Sequence, residues 1–356
     1  MTFPEPAFNA TTNLPGIPFD QMRQLVLSEV GEHGIPVLEN QPERLIIDLG
    51  NGIFGLLRVE SDEAAVMVGA DDAQSLFLTK WSAVERIRLV FPDAADAIRW
   101  SDGDAEGSFP PNFQFVQVQK VEPAGETFLR VTFRAESFGS YGDEAIHFRV
   151  VLPPFDVEPE WPTLAPNGSI KWPEGAAAPH RPVYTARRVD HEANTLEMDV
   201  FLHEGGRMTD WTLGLLSKTD PCRTVGLIGP AGGGLIEETE VVIAADETGF
   251  PPAARLLEGL PSGSKATVFL EAEDGAACAY PIPQCDGVAV HWLARSKGEA
   301  LAETVVGLLD KHSDALIWFA GERGDAKCVR DAAKAKGHDP KSLRVSAFWT
   351  TETEDA

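Results

Sequence analysis

Residues 239–260 read TEVVIAADETGFPPAARLLEGL, and this stretch decides the class of the fold. VVIAA is a short unbroken apolar run, DETG is turn chemistry, and the two prolines fall where a helix tolerates them, in its first turn. A buried strand running straight into a helix is half of a crossover unit. The pattern recurs downstream. KATVFLEAED (265–274), VAVHWLAR (288–295), ALIWFAGE (315–322) and LRVSAFW (343–349) read as strands, and GEALAETVVGLLDKH (298–312) and DAKCVRDAAKAKG (325–337) as helices, the latter closing on Gly337. Short buried strands separated by helices predict a parallel α/β sheet over 237–356, with helices on both faces and ligands at the carboxyl ends of its strands.

Upstream the period shifts from helix-and-strand to strand alone. FQFVQVQKVEPAGETFLRVTFRA (113–135), IHFRVVLP (146–153), PVYTARRVD (182–190) and LEMDVFLHE (196–204) alternate every second residue or form short apolar runs. This predicts a small antiparallel barrel of the six-stranded type over 111–236. A long Pro-, Trp- and Gly-rich connection separates the second and third of these strands, and such a loop inside a compact domain is more often functional than empty. SDGDAEGSFPPN (101–112) reads as a linker. Before it, FDQMRQLVLSEVGEHG (19–34) and QSLFLTKWSAVERIRLVF (74–91) read as helices flanking strands with a turn at Gly50-Asn51-Gly52, a small α+β domain over 17–103.

Bulk properties narrow the functions. A chain of 356 residues with 43% hydrophobic content has room for two or three cores. Its formal charge of −25 argues against a nucleic-acid partner, because phosphate binding requires a basic face. Any anionic ligand therefore needs a local basic pocket. Neither a secretory signal nor an apolar run of membrane-spanning length is present, so a cytoplasmic protein without membrane insertion is expected, as a monomer or weak dimer. Cys222, Cys278, Cys285 and Cys328 lack metal-ligand spacing, and no protein metal site is expected.

The motifs point to a flat cofactor with a phosphate tail. In RPVYT (181–185), a strand carries Arg181 and Tyr184 toward opposite faces with Thr185 adjacent, an arrangement able to serve a phosphate and a ring from its two sides. A surface arginine beside a half-buried tyrosine accounts for the same letters. HEGGRMTDWTLGLLSK (203–218) places glycines before a helix whose free N–H groups and dipole suit an anion, and IGPAGGG (228–234) permits close backbone approach to a ligand. A capped helix and an ordinary turn are the plainer readings. Neither a GxGxxG fingerprint nor a GxxxxGK[ST] loop occurs.

Taken in order, RPVYTARRVD, HEGGRMTDW, IGPAGGG, AADETGFPPAARLLEGLP, VHWLAR and IWFAGERGDAKCVR resemble the siderophore-interacting proteins, flavin-dependent ferric-siderophore reductases of the ferredoxin-reductase-like superfamily. The resemblance runs from about Phe113 to Trp349. It implies FAD on the barrel, NADH or NADPH as electron donor on the α/β domain, and Fe(III) in an imported siderophore as substrate. By position it implies Arg181, Tyr184 and Thr185 as the flavin motif with Arg187 in the basic position after it, His203, Gly206, Thr209 and Trp211 at the phosphate-binding turn, Asp246, Glu247 and Thr248 after the first nucleotide-domain strand, and Gly321 and Glu322 facing the nicotinamide. Thr185 and Glu322 are the catalytic candidates. The first domain resembles a small uncharacterised domain sometimes found beside this reductase.

Two departures stand out. Gly206-Arg207-Met208 adds a charge where the family has Gly-Pro, and Phe348-Trp349-Thr350 replaces a Tyr-Trp-Arg ending. Because ferric catecholates are anionic, Lys171, Arg187, Arg188 and Arg207 are the candidates for a basic docking island, a solvated strand face being the alternative. Arg295 is placed either to meet a 2′-phosphate or to end a strand at the surface. A non-catalytic flavin or siderophore carrier, or a general NAD(P)H:flavin reductase, are the competing functions.

Overall fold

The computed structural model describes residues 6–351 except 51, 61, 104, 105, 156, 220 and 221. Asn51 of the expected turn, two residues of the 101–112 linker, and the acidic tail from 352 lie outside the described residues. The chain divides into two compact units, Met1–Phe113 with Asp156–Pro179, and Gln114–Phe155 with His180–Ala356.

In the first unit β1 (Phe8–Pro18), α1 (Phe19–His33), β2 (Val37–Gln41), β3 (Arg44–Asp48), β4 (Ile53–Arg58) and β5 (Glu63–Ala70) precede α2 (Ala73–Val90) and α3 (Pro92–Ala97). The strands form one antiparallel sheet in the order β1-β5-β4-β3-β2. Leu14, Phe19, Leu45, Leu56, Val66 and Val84 fill its core. β1 begins ahead of the 17–103 span read from the sequence. Its prolines disguise it, and an edge strand is where a sheet accepts proline.

Residues 156–179 fall within the 111–236 span but pack with this first unit. Their two short strands, β9 (Thr163–Leu164) and β10 (Ile170–Lys171), follow three strands of the second unit in the chain: β6 (Phe113–Pro123), β7 (Phe128–Arg134) and β8 (His147–Val151). Buried Asn167 fastens the segment: its Nδ2 donates to Ala95 O at 3.0 Å, and its own carbonyl accepts from Trp100 Nε1 at 2.9 Å.

The second unit continues with β11 (Val183–Thr185), β12 (Arg188–Asp190), β13 (Thr195–Phe201), α4 (Arg207–Ser217) and β14 (Thr224–Ala231). With β6–β8 these make a seven-stranded sheet ordered β11-β8-β14-β6-β7-β13-β12, one strand more than the type expected. Its two end strands are consecutive in sequence. Only Ala186 and Arg187 separate them, and Ala186 N donates to Ile146 O at 2.8 Å while Arg187 N donates to Glu197 O at 2.8 Å. The sheet is thereby closed on itself, which removes its free edges. Phe133, Phe148, Val150, Met198, Leu227 and, from α4, Trp211 fill it.

The remainder is β15 (Glu240–Ala245), α5 (Phe250–Glu258), β16 (Lys265–Ala272), β17 (Val288–Ala294), α6 (Leu301–Leu308), β18 (Leu316–Glu322), α7 (Arg323–Ala335) and β19 (Leu343–Trp349). All five strands are parallel, in the order β17-β16-β15-β18-β19. Period-two alternation explains why nearly every residue of β15 is apolar. Val241, Ile243 and Ala245 share a core with α5, whereas Val242 and Ala244 share one with α6 and α7. Among the described residues no helix is long and apolar enough to cross a membrane.

Barrel and parallel sheet are joined by buried polar contacts. Asp199 on β13 accepts a bidentate pair of bonds from Arg130 Nε and Nη2, both 2.7 Å, and a third from Tyr280 Oη at 2.6 Å. Arg255 on α5 donates to the carbonyls of Ala186 and Gly142.

Candidate functional site

Strand order reverses direction at β15, so the crevice between the carboxyl ends of β15 and β18 is the place where such sheets hold ligands. The residues there are Asp246–Gly249, Gly321 and Glu322. Asp246 is buried, and its Oδ1 accepts from Thr248 N at 2.9 Å and Thr248 Oγ1 at 2.6 Å, its Oδ2 from Trp349 Nε1 at 2.6 Å. Burial holds this carboxyl above the usual range, against the opposing pull of those bonds. A Cβ at Gly321 would stand 3.2 Å from Asp246 Oδ2. The glycine keeps the floor of the crevice open.

Glu322 caps α7, accepting from Gly324 N and, at 3.3 Å, from Asp325 N, and it also accepts from Thr351 N at 3.1 Å. The Thr351 amide and then those of the helix start hold its carboxylate below the usual range. It stands beside the crevice, and its bonds are those of a helix cap.

The barrel contributes the facing wall. Thr185 pairs with His147 across β11 and β8, and Thr185 Oγ1 lies 3.2 Å from His147 Nδ1. Burial, and then the charge of Arg255, push the imidazole below its ordinary value. The turn 228–234 wraps behind this ring, where a Cβ on Gly232, at φ +81°, would come within 2.7 Å of its Cδ2. Phe348 meets the same ring edge-on, with centroids 5.8 Å apart. Tyr184 is half-buried against the barrel core, and burial raises its phenol.

A basic cluster lies farther along the barrel. α4 starts at Gly206 without a side-chain cap. A Cβ there would fall 2.6 Å from the His203 ring, and His203 N donates to Thr209 Oγ1 at 3.1 Å, so turn and helix start hold each other. Arg207 donates from Nη2 to Pro153 O at 2.9 Å and lies over the Phe155 ring at 5.7 Å, while its buried Nε has no hydrogen-bond partner among the described residues. Arg149 donates to Arg181 O at 3.0 Å, and Arg207 lowers the pKa of His180 after burial does. Arg149, Arg181 and Arg207 thus gather around one stretch of an otherwise acidic chain.

These residues fit a flavin dinucleotide. The uncapped amides of α4 and the orphaned Arg207 Nε answer to a pyrophosphate, and the Tyr184–Thr185 wall answers to a flat ring. Arg207, a departure at the level of sequence, adds a positive charge beside that helix start.

Other candidates serve different ends. Trp211 is fully buried in the barrel, stacked near Phe133 with its indole N–H on Cys222 O at 3.1 Å. Arg187, expected on the docking island, is 7% exposed and bound bidentately to Glu258 at 2.7 and 2.8 Å. Arg188, next to it, is exposed. Lys171 belongs to the first compact unit, where it lines a cleft of about 350 Å³ with Phe109, Trp161 and Trp172. Glu247 is buried and paired with Arg295. Sequence reading missed His147, Arg149 and Glu258, whose places depend on which strands and helices meet; the lone histidine opening HFRVV is the one local hint.

Two family models match the chain in sequence order: siderophore-interacting FAD-binding domain over residues 115–234 and siderophore-interacting protein over 238–352. They leave residues 1–114 unmatched. The ferric vibriobactin reductase ViuB of Vibrio cholerae is 28% identical over 205 residues, spanning 55% of this chain and 71% of that protein. The ferric acinetobactin reductase of Acinetobacter baumannii is 25% identical over 198 residues, spanning 52% of this chain and 67% of that one. Among solved structures, a siderophore utilization protein from T. fusca matches with a TM-score of 0.54 at 24% identity, over 71% of this chain and 98% of its own. SipS from Aeromonas hydrophila matches with a TM-score of 0.53 at 18% identity, over 67% and 99%. At these identities the structural likeness is one of fold.

Proposed function

Because the chain belongs to the siderophore-interacting proteins, flavin-dependent oxidoreductases of the ferredoxin-reductase-like superfamily, we propose that it is a cytoplasmic ferric-siderophore reductase working from NAD(P)H through FAD. Bound FAD supplies the conversion of one hydride into single electrons for Fe(III), which then leaves its hard oxygen donors as the more weakly held Fe(II).

The chain's own residues supply binding and orientation. The amides of α4 and Arg207 hold the pyrophosphate, and Arg181 adds charge on that side. Tyr184 flanks the ring, and the Thr185 hydroxyl, fixed by His147, offers it a hydrogen bond. Gly321 leaves room for a nicotinamide over Asp246. Arg188, exposed on the barrel, offers positive charge to an anionic ferric chelate in a chain this acidic.

One observation carries this reading: Phe348 touches His147 of the barrel while the next residue, Trp349, bonds Asp246 at the sheet's carboxyl edge. The pair Phe348–Trp349 thus bridges the barrel wall and the sheet edge to which this reading assigns flavin and donor. The test is anaerobic mixing of FAD-loaded protein with NADH or NADPH, then with a ferric siderophore and a ferrous-specific chelator. The expected result is bleaching of the flavin followed by two Fe(II) per NAD(P)H. Bleaching with turnover of free flavin but not of ferric siderophore identifies a general flavin reductase instead, and no bleaching identifies a carrier.

A further inference from the structure

We infer that the donor is NADH rather than NADPH, and that Glu273 sets the preference through the charge network built on Arg295. The inference rests on the reading of the parallel sheet as the donor's domain. Arg295 directly follows β17 and reaches back across the carboxyl ends of its neighbours. Its Nη1 lies 2.9 Å from Glu271 Oε1, at the end of β16, and 2.9 Å from Glu247 Oε2, in the turn after β15. Its Nη2 bonds the other oxygen of Glu247, and its Nε stands 3.7 Å from Glu273 Oε2. The second oxygen of Glu271 accepts Leu301 N at 2.6 Å, which ties the network to the start of α6. One guanidinium therefore faces three carboxylates. The shelf keeps a negative surplus.

Parallel strands are about 4.8 Å apart, so the ends of β18, β15, β16 and β17 form a ledge about 14 Å long. A dinucleotide whose nicotinamide lies at Gly321, toward the barrel, runs its adenosine along that ledge over β16 and β17. NADH brings a 2′-hydroxyl there, able to donate to a carboxylate. NADPH brings a phosphate, which needs a cation with donors to spare. The nearest guanidinium bonds Glu247 and Glu271, both buried, through Nη1 and Nη2, and its Nε faces Glu273, which at 71% exposed is the outermost carboxylate of the network. A carboxylate in that place accepts from a ribose and repels a phosphate.

The test is titration of FAD-loaded protein with the unreactive oxidised forms NAD⁺ and NADP⁺, for the natural sequence and for Glu273→Gln. NAD⁺ is expected to bind at least about tenfold tighter, and Glu273→Gln to bring the two within about threefold, chiefly by improving NADP⁺. Raising the salt concentration is expected to narrow the gap in the natural protein and to change little in the variant. Equal or tighter binding of NADP⁺, a ratio untouched by Glu273→Gln, or binding of neither nucleotide overturns the inference. Flavin bleaching separates this from the reductase reading. NADPH bleaching ahead of NADH overturns the preference alone, whereas NAD⁺ binding ahead of NADP⁺ with no bleaching by either donor overturns the reductase and leaves the preference standing.

Discussion

Thr185 Oγ1 and His147 Nδ1 stand 3.2 Å apart on paired strands, the threonine buried and the histidine half-buried, each held by the other. Neither group can change without the other losing a partner. Thr185→Val keeps the shape and removes the hydroxyl, which takes a partner from a half-buried ring nitrogen at a cost of about 0.5–1.5 kcal/mol. The expected outcome is a lower urea midpoint, a shifted absorption spectrum for bound FAD, and flavin reduction slowed about tenfold. An unchanged spectrum and rate would remove Thr185 from the site.

His147 also makes stability depend on pH. Its folded-state pKa is lowered by burial and then by Arg255, while the unfolded ring titrates near its ordinary value of 6.5. The unfolded chain thus takes up the proton first as pH falls. The contribution is fully present above about 6.5 and is lost as pH drops through the folded-state value. Urea melts at about pH 7.5 and 5.5 should therefore differ, and His147→Gln should flatten the difference.

Arg187 and Arg188 are neighbours with opposite duties. Arg187 is buried on Glu258, whose side chain is 49% exposed, so Glu258→Gln should cost about 1–2 kcal/mol, below the figure for a fully buried pair. Arg188→Ala should leave the melt unchanged and raise KM for an anionic ferric chelate, an effect that fades with salt. Thermal melts and siderophore kinetics on the two variants separate the roles.

Tyr280→Phe removes the 2.6 Å bond to Asp199, an acceptor with no exposed side-chain surface. A hydrogen bond to a buried charge is worth about 1.5–3 kcal/mol, and urea denaturation should register that loss. Asp199→Asn should cost more, since Arg130 then faces a neutral partner.

Gly206→Ala drives a methyl against the His203 ring. The helix beyond has its own hydrophobic face, so the expected damage is local: FAD affinity weaker by at least about tenfold with the far-ultraviolet circular dichroism unchanged.

The parallel sheet was legible because strands buried on both faces are written as continuous apolar runs, as VVIAA is. The barrel strands showed through their alternation. What stayed hidden was partnership. In RPVYTARRVD the period of two separates Arg187 from Arg188, but only closure of the barrel puts the Arg187 side against α5. β1 was masked by Pro15, and the helix start at Arg323 by a glutamate whose capping role is seen only from the amides it accepts. No local pattern could announce that residues 156–179 pack with the chain's opening third, because Asn167 and Ala95 are neighbours only after folding.

That last arrangement governs the order of birth on the ribosome. The first sheet emerges early but lacks Asn167 until three strands of the other unit have already left the tunnel, and β6 and β8 then wait for β14 to come between them. The first unit is complete near residue 179, the second only with the parallel sheet that ends the chain. A polypeptide halted anywhere between residues 113 and 166 is left with two unfinished bodies rather than one finished and one missing.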